Sequence, residues 1–195
     1  MNKKKVLVIV AHPDDETIWM GGTILSNLKK WDLTILSLCR RNDSDRAPRF
    51  SKACKNFYHS KSMMSDLEDV QLNDIPLNDV IGCITKTLSE KKFDFIFTHG
   101  NNGEYGHKRH KDVHKAVNKM IEQKLLSCKK IFFFSYFKKD KLCYPNPESN
   151  KFINLGTRVF MKKKFIITKI YGFNKGGFEE QCCRNAEAFN FREFK

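Results

Sequence analysis

No apolar run in this chain approaches the roughly 20 residues that a helix needs to cross a bilayer, which excludes a spanning helix. The seven cysteines include no C-x-x-C pair, and Cys182 and Cys183 are adjacent, a spacing that rarely bridges. Their number is odd, and a secretory signal is missing. Met1-Asn2-Lys3-Lys4-Lys5 is basic like the head of a signal, but the apolar stretch from Val6 to Ala11 is too short for one and runs straight into His12-Pro13-Asp14-Asp15-Glu16. We therefore expect reduced thiols, with Cys39 and Cys128 packed as small core residues, and a cytoplasmic protein. Repeats, low-complexity tracts and Gly/Ser linkers are missing too, so residues 1–195 are expected to form one domain, long enough to bury a real core. Acid is scarce relative to base: 22 Asp and Glu face 36 Lys and Arg, a net charge of +14. Such a surplus attracts anions, yet the lysines are spread along the chain as a generally lysine-rich surface would have them. Helix-turn-helix, zinc-finger and single-strand stacking signatures are absent, which argues against nucleic acid as a partner.

What is present is an alternation of strand and helix patterns. Val6–Ala11 is a continuous β-branched run suited to a strand covered on both faces. Helical spacing follows over about residues 17–30, a second strand over 33–39, and a second helix over 48–58. A helix over 77–91, a strand over 93–98, a long helix over 108–126 and a strand over 131–135 come next, with late helices expected over 162–171 and 179–189. This order implies an α/β fold with a largely parallel sheet, right-handed crossovers and helices on both faces. Ligands in such sheets collect beyond the carboxyl ends of the strands. His12–Glu16 follows the first strand and His99–His110 the third, so both clusters should reach the same edge.

Pro13 fixes one backbone angle and disfavours helix at His12, so the chain turns sharply there. Three consecutive carboxylates repel one another unless a dication sits among them or they point different ways. A short turn can bring His12 and Asp15 onto one metal with Asp14 beside it as an unligated base. By itself the segment fits an acidic helix start equally well, with Asp14, Asp15 and Glu16 at the positive end of the helix dipole. The second cluster adds weight to a metal. In Gly103-Glu104-Tyr105-Gly106-His107-Lys108-Arg109-His110, followed by His114, the pairs His107/His110 and His110/His114 each share a helix face, and either pair could contribute. His, Asp and His would leave a fourth position for water, as catalytic zinc does. The H-E-x-x-H pattern of zinc proteases is absent.

These residues resemble the PIG-L/LmbE-like zinc deacetylases. Ala11-His12-Pro13-Asp14-Asp15-Glu16 is similar to that family's signature after the first strand, and Gly22 fits the following helix. Thr98-His99 and Gly103-Glu104-Tyr105-Gly106-His107-x-x-His110 resemble its second motif. Arg49-x-x-Lys52-Ala53 is weakly similar to its R-x-x-E-x-x-x-A helix, and Lys164–Tyr171 to its late lysine and tyrosine segment. The resemblance implies a Rossmann-like fold and removal of acetyl from a small amino-sugar conjugate of the N-acetylglucosamine type. It implies Zn2+ on His12, Asp15 and His110, Asp14 as general base, Tyr105 at the oxyanion, His107 at the departing amine and Arg49 as a substrate contact.

One departure stands out. The family carries Pro-Asp between its two histidines, whereas this chain has Lys108-Arg109. A cation at Arg109 would disfavour an imidazolium at His107, unless Asp112 or Glu104 orients that ring instead. Arg109 and the basic excess motivate a second reading, a non-catalytic basic α/β module that holds nucleic acid or acidic glycans. Hydrolysis of an acyl group not on a sugar is a third. Homo-oligomerisation is left open by the sequence.

Overall fold

The computed structural model describes residues 2–194; Met1 and Lys195 lie outside the described residues. Five parallel strands form the body of a sheet: β1 (Lys4–Val10), β2 (Trp31–Ser37), β3 (Lys61–Met64), β4 (Lys92–Thr98) and β5 (Ser127–Phe134). The chain moves outward from β1 to β2 to β3, then returns to place β4 on the other side of β1. This reversal opens a crevice at the carboxyl ends of β1 and β4.

The alternate residues of β1 explain why it is apolar throughout. Val6, Val8 and Val10 pack with Ile18, Trp19 and Ile24 of α1 (Asp15–Asn27) and Phe50 of α2 (Arg46–Ala53). Leu7 and Ile9 face the other way, onto Val80 and Ile84 of α3 (Leu77–Thr87) and, beyond the short α4 (Gly103–Gly106), Val113 and Met120 of α5 (Lys108–Glu122). Both faces of the sheet are therefore covered, each buried aliphatic side chain contributing about 1.5–3 kcal/mol of transfer free energy. Of the cysteines, Cys39 is buried as expected, Cys128 is only half-buried, and all seven are free thiols.

The C-terminal third departs from the expected pattern. The helix expected over 179–189 is a single short helix, here α7 (Phe178–Cys182), followed by a strand, β9 (Ala186–Glu193). Pairing explains it: Phe189 pairs in register with Phe134 of β5, and β9 runs antiparallel between β5 and β8 (Lys151–Asn154). The hairpin β6 (Tyr136–Lys139) and β7 (Leu142–Pro145) and the edge strands β3 and β8 are four residues each, too short for a periodic signal. Two helices end in wider π turns: α2 runs into Cys54–Tyr58, and α6 (Thr157–Phe165) into Ile166–Ile170. Tyr58 and Tyr171 sit where those turns finish, and both reach the first turn of α1.

Candidate metal centre and active site

The turn after β1 spreads its carboxylates in three directions. Asp14 takes a positive φ of 129°, a strained conformation for a residue with a side chain. It is held there by its own N–H, which donates to Glu16 Oε2 (3.1 Å), and by its carbonyl, which accepts from Thr17 and Ile18. Glu16 is fully buried and takes hydrogen bonds from Tyr171 (2.7 Å) and Thr17 (2.5 Å); burial pushes its carboxyl up to about 7. Asp14 turns to Arg46 at the start of α2 (2.6 Å). Asp15 turns inward, its Oδ1 accepting from Trp19 Nε1 one helical turn on (2.9 Å). The same residues thus form an acidic helix start and a converging cluster.

His12, Asp15 and His110 meet. His12 Nδ1 lies 3.2 Å from Asp15 Oδ2 and 3.2 Å from His110 Nε2, which is itself 3.4 Å from Asp15 Oδ2. The far nitrogen of each ring identifies its tautomer, because a carboxylate only accepts. His12 Nε2 donates to Asp69 (2.9 Å), and His110 Nδ1 donates to Glu104 Oε2 (2.5 Å). In the neutral tautomers the near nitrogens present lone pairs to each other and to a carboxylate oxygen. Against its burial, the bonds to Asp15 and Asp69 push His12 up to about 10, so that it holds a proton there. Burial alone would raise the Asp15 carboxyl, but the imidazoles of His110 and His99 and the bond from His12 hold it well below the usual range. Such a triangle is repulsive without a proton or a cation at its centre. Its edges fit tetrahedral zinc, whose ligand distances of about 2.0–2.2 Å separate donors by roughly 3.3–3.6 Å. His99 is close but occupied: its Nε2 accepts the Ala11 N–H (2.9 Å), its Nδ1 donates to Glu104 (2.8 Å), and its ring stacks on His110. Burial alone would raise the Glu104 carboxyl, but the imidazoles of His99 and His110 and the N–H bonds they donate bring it to about 2.

Tyr105 and His107 line the same cavity, about 180 Å³, together with Asp14 and Arg46. Burial raises the Tyr105 hydroxyl well above its ordinary value, so it stays a donor. The His107 ring stands 4.7 Å, centre to centre, from both His12 and His110. Its Nδ1 is buried with no hydrogen-bond partner. Burial first, then the neighbouring imidazoles of His110 and His12, push it down to about 4.

Several expectations about side chains around this cavity are corrected. Arg109 does not face His107; its buried guanidinium pairs with Asp112 (2.8 Å) and with Glu68, and donates to the carbonyls of Glu68 and Asn73. Neither Asp112 nor Glu104 is left to orient His107, since Arg109 holds the first and His99 and His110 the second. His114 sits outside the cluster, with Nδ1 donating to the His99 carbonyl. Arg49 lies outside the cavity, bound to Asp45 and the Tyr171 carbonyl. Arg46 reaches the cavity in its place. The spacing R-x-x-E-x-x-x-A, counted back from Ala53, in fact begins at Arg46 and puts Arg49 where the acid belongs. Asp69 was not legible, since it comes from the loop after β3 and reaches His12 across 57 residues. A larger depression of about 700 Å³ opens beside Asn102 and His114 but contains none of the cluster.

Comparison with known proteins follows the same line. The model of the PIG-L family, described as GlcNAc-PI de-N-acetylase, matches residues 7–121. An uncharacterized protein of Acanthamoeba polyphaga mimivirus, L374, is 28% identical over 133 residues, 59% of this chain and 57% of that protein, so the match spans little more than half of that relative. Among solved structures, an N,N'-diacetylchitobiose deacetylase from Pyrococcus horikoshii superposes with a TM-score of 0.72 at 18% identity, covering 98% of this chain and 85% of that one. GalB, a 4-carboxy-2-hydroxymuconate hydratase from Pseudomonas putida, superposes with a TM-score of 0.68 at 14% identity over 98% and 97%. At such identities the likeness carries the fold, and one fold here serves two reactions.

Proposed function

This chain belongs to the PIG-L family, and on that premise we propose that it is a zinc-dependent N-deacetylase of an N-acetylglucosamine-type glycoconjugate, with residues 1–195 acting as one catalytic domain. The observation that carries the reading is the triangle of His12 Nδ1, Asp15 Oδ2 and His110 Nε2, each ring backed on its far side by its own carboxylate. These three would hold the ion, which supplies a Lewis acid that polarises the acyl carbonyl and acidifies water.

The remaining steps belong to the chain's own side chains. Asp14 lies beside the three and accepts the proton of the attacking water. Burial and the Asp15 charge raise the Asp14 carboxyl well above its ordinary value, which strengthens it as a base, and Arg46 opposes them in favour of the ionised form. Water adds to the acyl carbon, and Tyr105 donates to the oxygen on which negative charge develops. His107 has no carboxylate on its Nδ1 to support an imidazolium, so we assign it a hydrogen bond to the reacting group. Protonated Asp14 then returns its proton to the nitrogen as the C–N bond breaks, leaving acetate and a free amine. Arg46, rather than Arg49, is the substrate contact. The second reading, a basic binding module, loses one of its two motives, because Arg109 is buried.

Purified protein should retain about one zinc per chain and release acetate from N-acetylglucosamine derivatives, with loss of both on chelation and recovery on adding zinc. Acetate release that is indifferent to chelation, or none across a panel of N-acetyl sugars, would sink the reading.

A further inference from the structure

The charge surplus is less evenly spread in space than in sequence. Residues 46–65 and 149–178 contain five and seven Lys or Arg respectively, and neither stretch contains a single carboxylate. The fold brings the two together: Arg49 donates to the Tyr171 carbonyl, and the rings of Phe57 and Phe165 lie 6.0 Å apart. Glu187 and Glu180 neutralise Lys163 and Lys164, and Asp14 and Asp45 neutralise Arg46 and Arg49. Lys52, Lys55, Arg158, Lys162 and Lys169 are exposed and have no ion pair among the described residues.

Helix α6 is inside out. Its one fully buried side chain is Lys163, whereas Met161 is 61% and Phe165 48% exposed. Arg158, Met161, Lys162 and Phe165 follow at steps of three, one and three residues, a spacing that puts all four on one helical face. That face alternates cation and apolar side chain, and the Lys162 ammonium sits 5.9 Å from the Phe57 ring. An apolar strip on a soluble surface, rimmed by unpaired cations, marks a contact site.

We propose that this face, formed by α6 and the end of α2, docks on an anionic lipid surface. Met161 and Phe165 would enter the headgroup boundary while the lysines extend along it towards phosphate and carboxylate groups. Nucleic acid fits less well. Phe57 and Phe165 pack against each other at a tilt of 43° and offer no open parallel platform for bases, and lysine outnumbers arginine, the usual bidentate phosphate fork. The same two elements carry Arg46 and Tyr171 to the catalytic end of the sheet, so docking would hold the site near the surface. This inference is independent of the reaction the site performs.

The test is sedimentation of the full chain with phosphatidylcholine vesicles, with and without phosphatidylserine, and a parallel binding assay on duplex and single-stranded oligonucleotides. Binding should require phosphatidylserine. Met161→Ser with Phe165→Ser, and separately Lys52→Ala with Lys162→Ala, should each weaken it by about tenfold or more. Lys138→Ala with Lys141→Ala, on the β6–β7 hairpin, should leave it unchanged. All substituted residues are exposed, and unchanged melting temperatures will show that the variants fold. The proposal is overturned by absence of phosphatidylserine-dependent binding, by equal losses in the hairpin variant, by full binding in the Met161/Phe165 variant, or by oligonucleotide binding with no vesicle binding.

Discussion

The two halves of the candidate site are built to different standards. In the half formed by His12, Asp15 and His110, every outer ring nitrogen has a carboxylate and every carboxylate oxygen near the centre has a donor. In the half formed by Asp14, Tyr105 and His107, Asp14 is strained at φ 129° and His107 leaves a buried nitrogen without a partner. The cause is local. The position before His110 is Arg109, which turns away to fasten the loop of Glu68 to Asn73, the same loop that delivers Asp69 to His12. Where the resemblance implies an acid beside His107, Arg109 instead braces the loop that supports His12. Held ligands and groups that pass a proton need different surroundings, and the two halves differ in that respect.

The largest effects test whether the first half is a metal site. Asp15→Ala should reduce zinc content from about one per chain to near zero, measured by metal analysis after dialysis, and abolish acetate release. Asp14→Asn should keep the zinc and lower kcat by about 10²- to 10⁴-fold; a variant that retains full kcat removes Asp14 from the reaction. Glu104→Gln and Asp69→Asn should each weaken zinc binding by about 10- to 100-fold, read by competition with a chelating dye. Glu104 belongs at the upper end, because it is buried and holds two rings. If Asp69→Asn leaves affinity untouched, the loop held by Arg109 does not support His12.

His107→Gln should cost no more than about tenfold in kcat, below the range of a general acid, since nothing backs its Nδ1. A loss as deep as that of Asp14→Asn would erase the contrast between the halves. The smallest effect concerns His114, just outside the cluster. Burial depresses its pKa below the ordinary 6.5, so on acidification the unfolded chain takes up this proton first. Stability should therefore fall as pH drops from 6.5 towards the folded value. His114→Gln should flatten that part of a melting-temperature profile.

Much of the fold was legible because β1 is apolar on both alternating sets of residues, and only a strand covered on two faces has a use for that pattern. The order of strand and helix then placed His12 and His110 on one edge of the sheet. Legibility failed where elements are short or where pairing outweighs period. Residues 179–189 read as helix in isolation, yet hydrogen bonding to β5 and β8 makes Ala186–Glu193 a strand. At the site, the motif residues were found in the sequence because they are close neighbours in it. Asp69 was not, because its loop has no motif and its partner is distant. Arg46 lies one helical turn before Arg49, seven residues ahead of Ala53 as the family spacing has it.

The sequence by itself determined the parallel α/β body, the turn at His12-Pro13 and the presence of His, Asp and His near one strand edge, because these depend on local periodicity and on proline. Only the tertiary structure decided which nitrogens meet at the centre, which carboxylate backs which ring, and that Arg109 faces away from His107. Those outcomes depend on burial and on hydrogen bonds between residues far apart in the chain, where a displacement of one helical turn exchanges one partner for another.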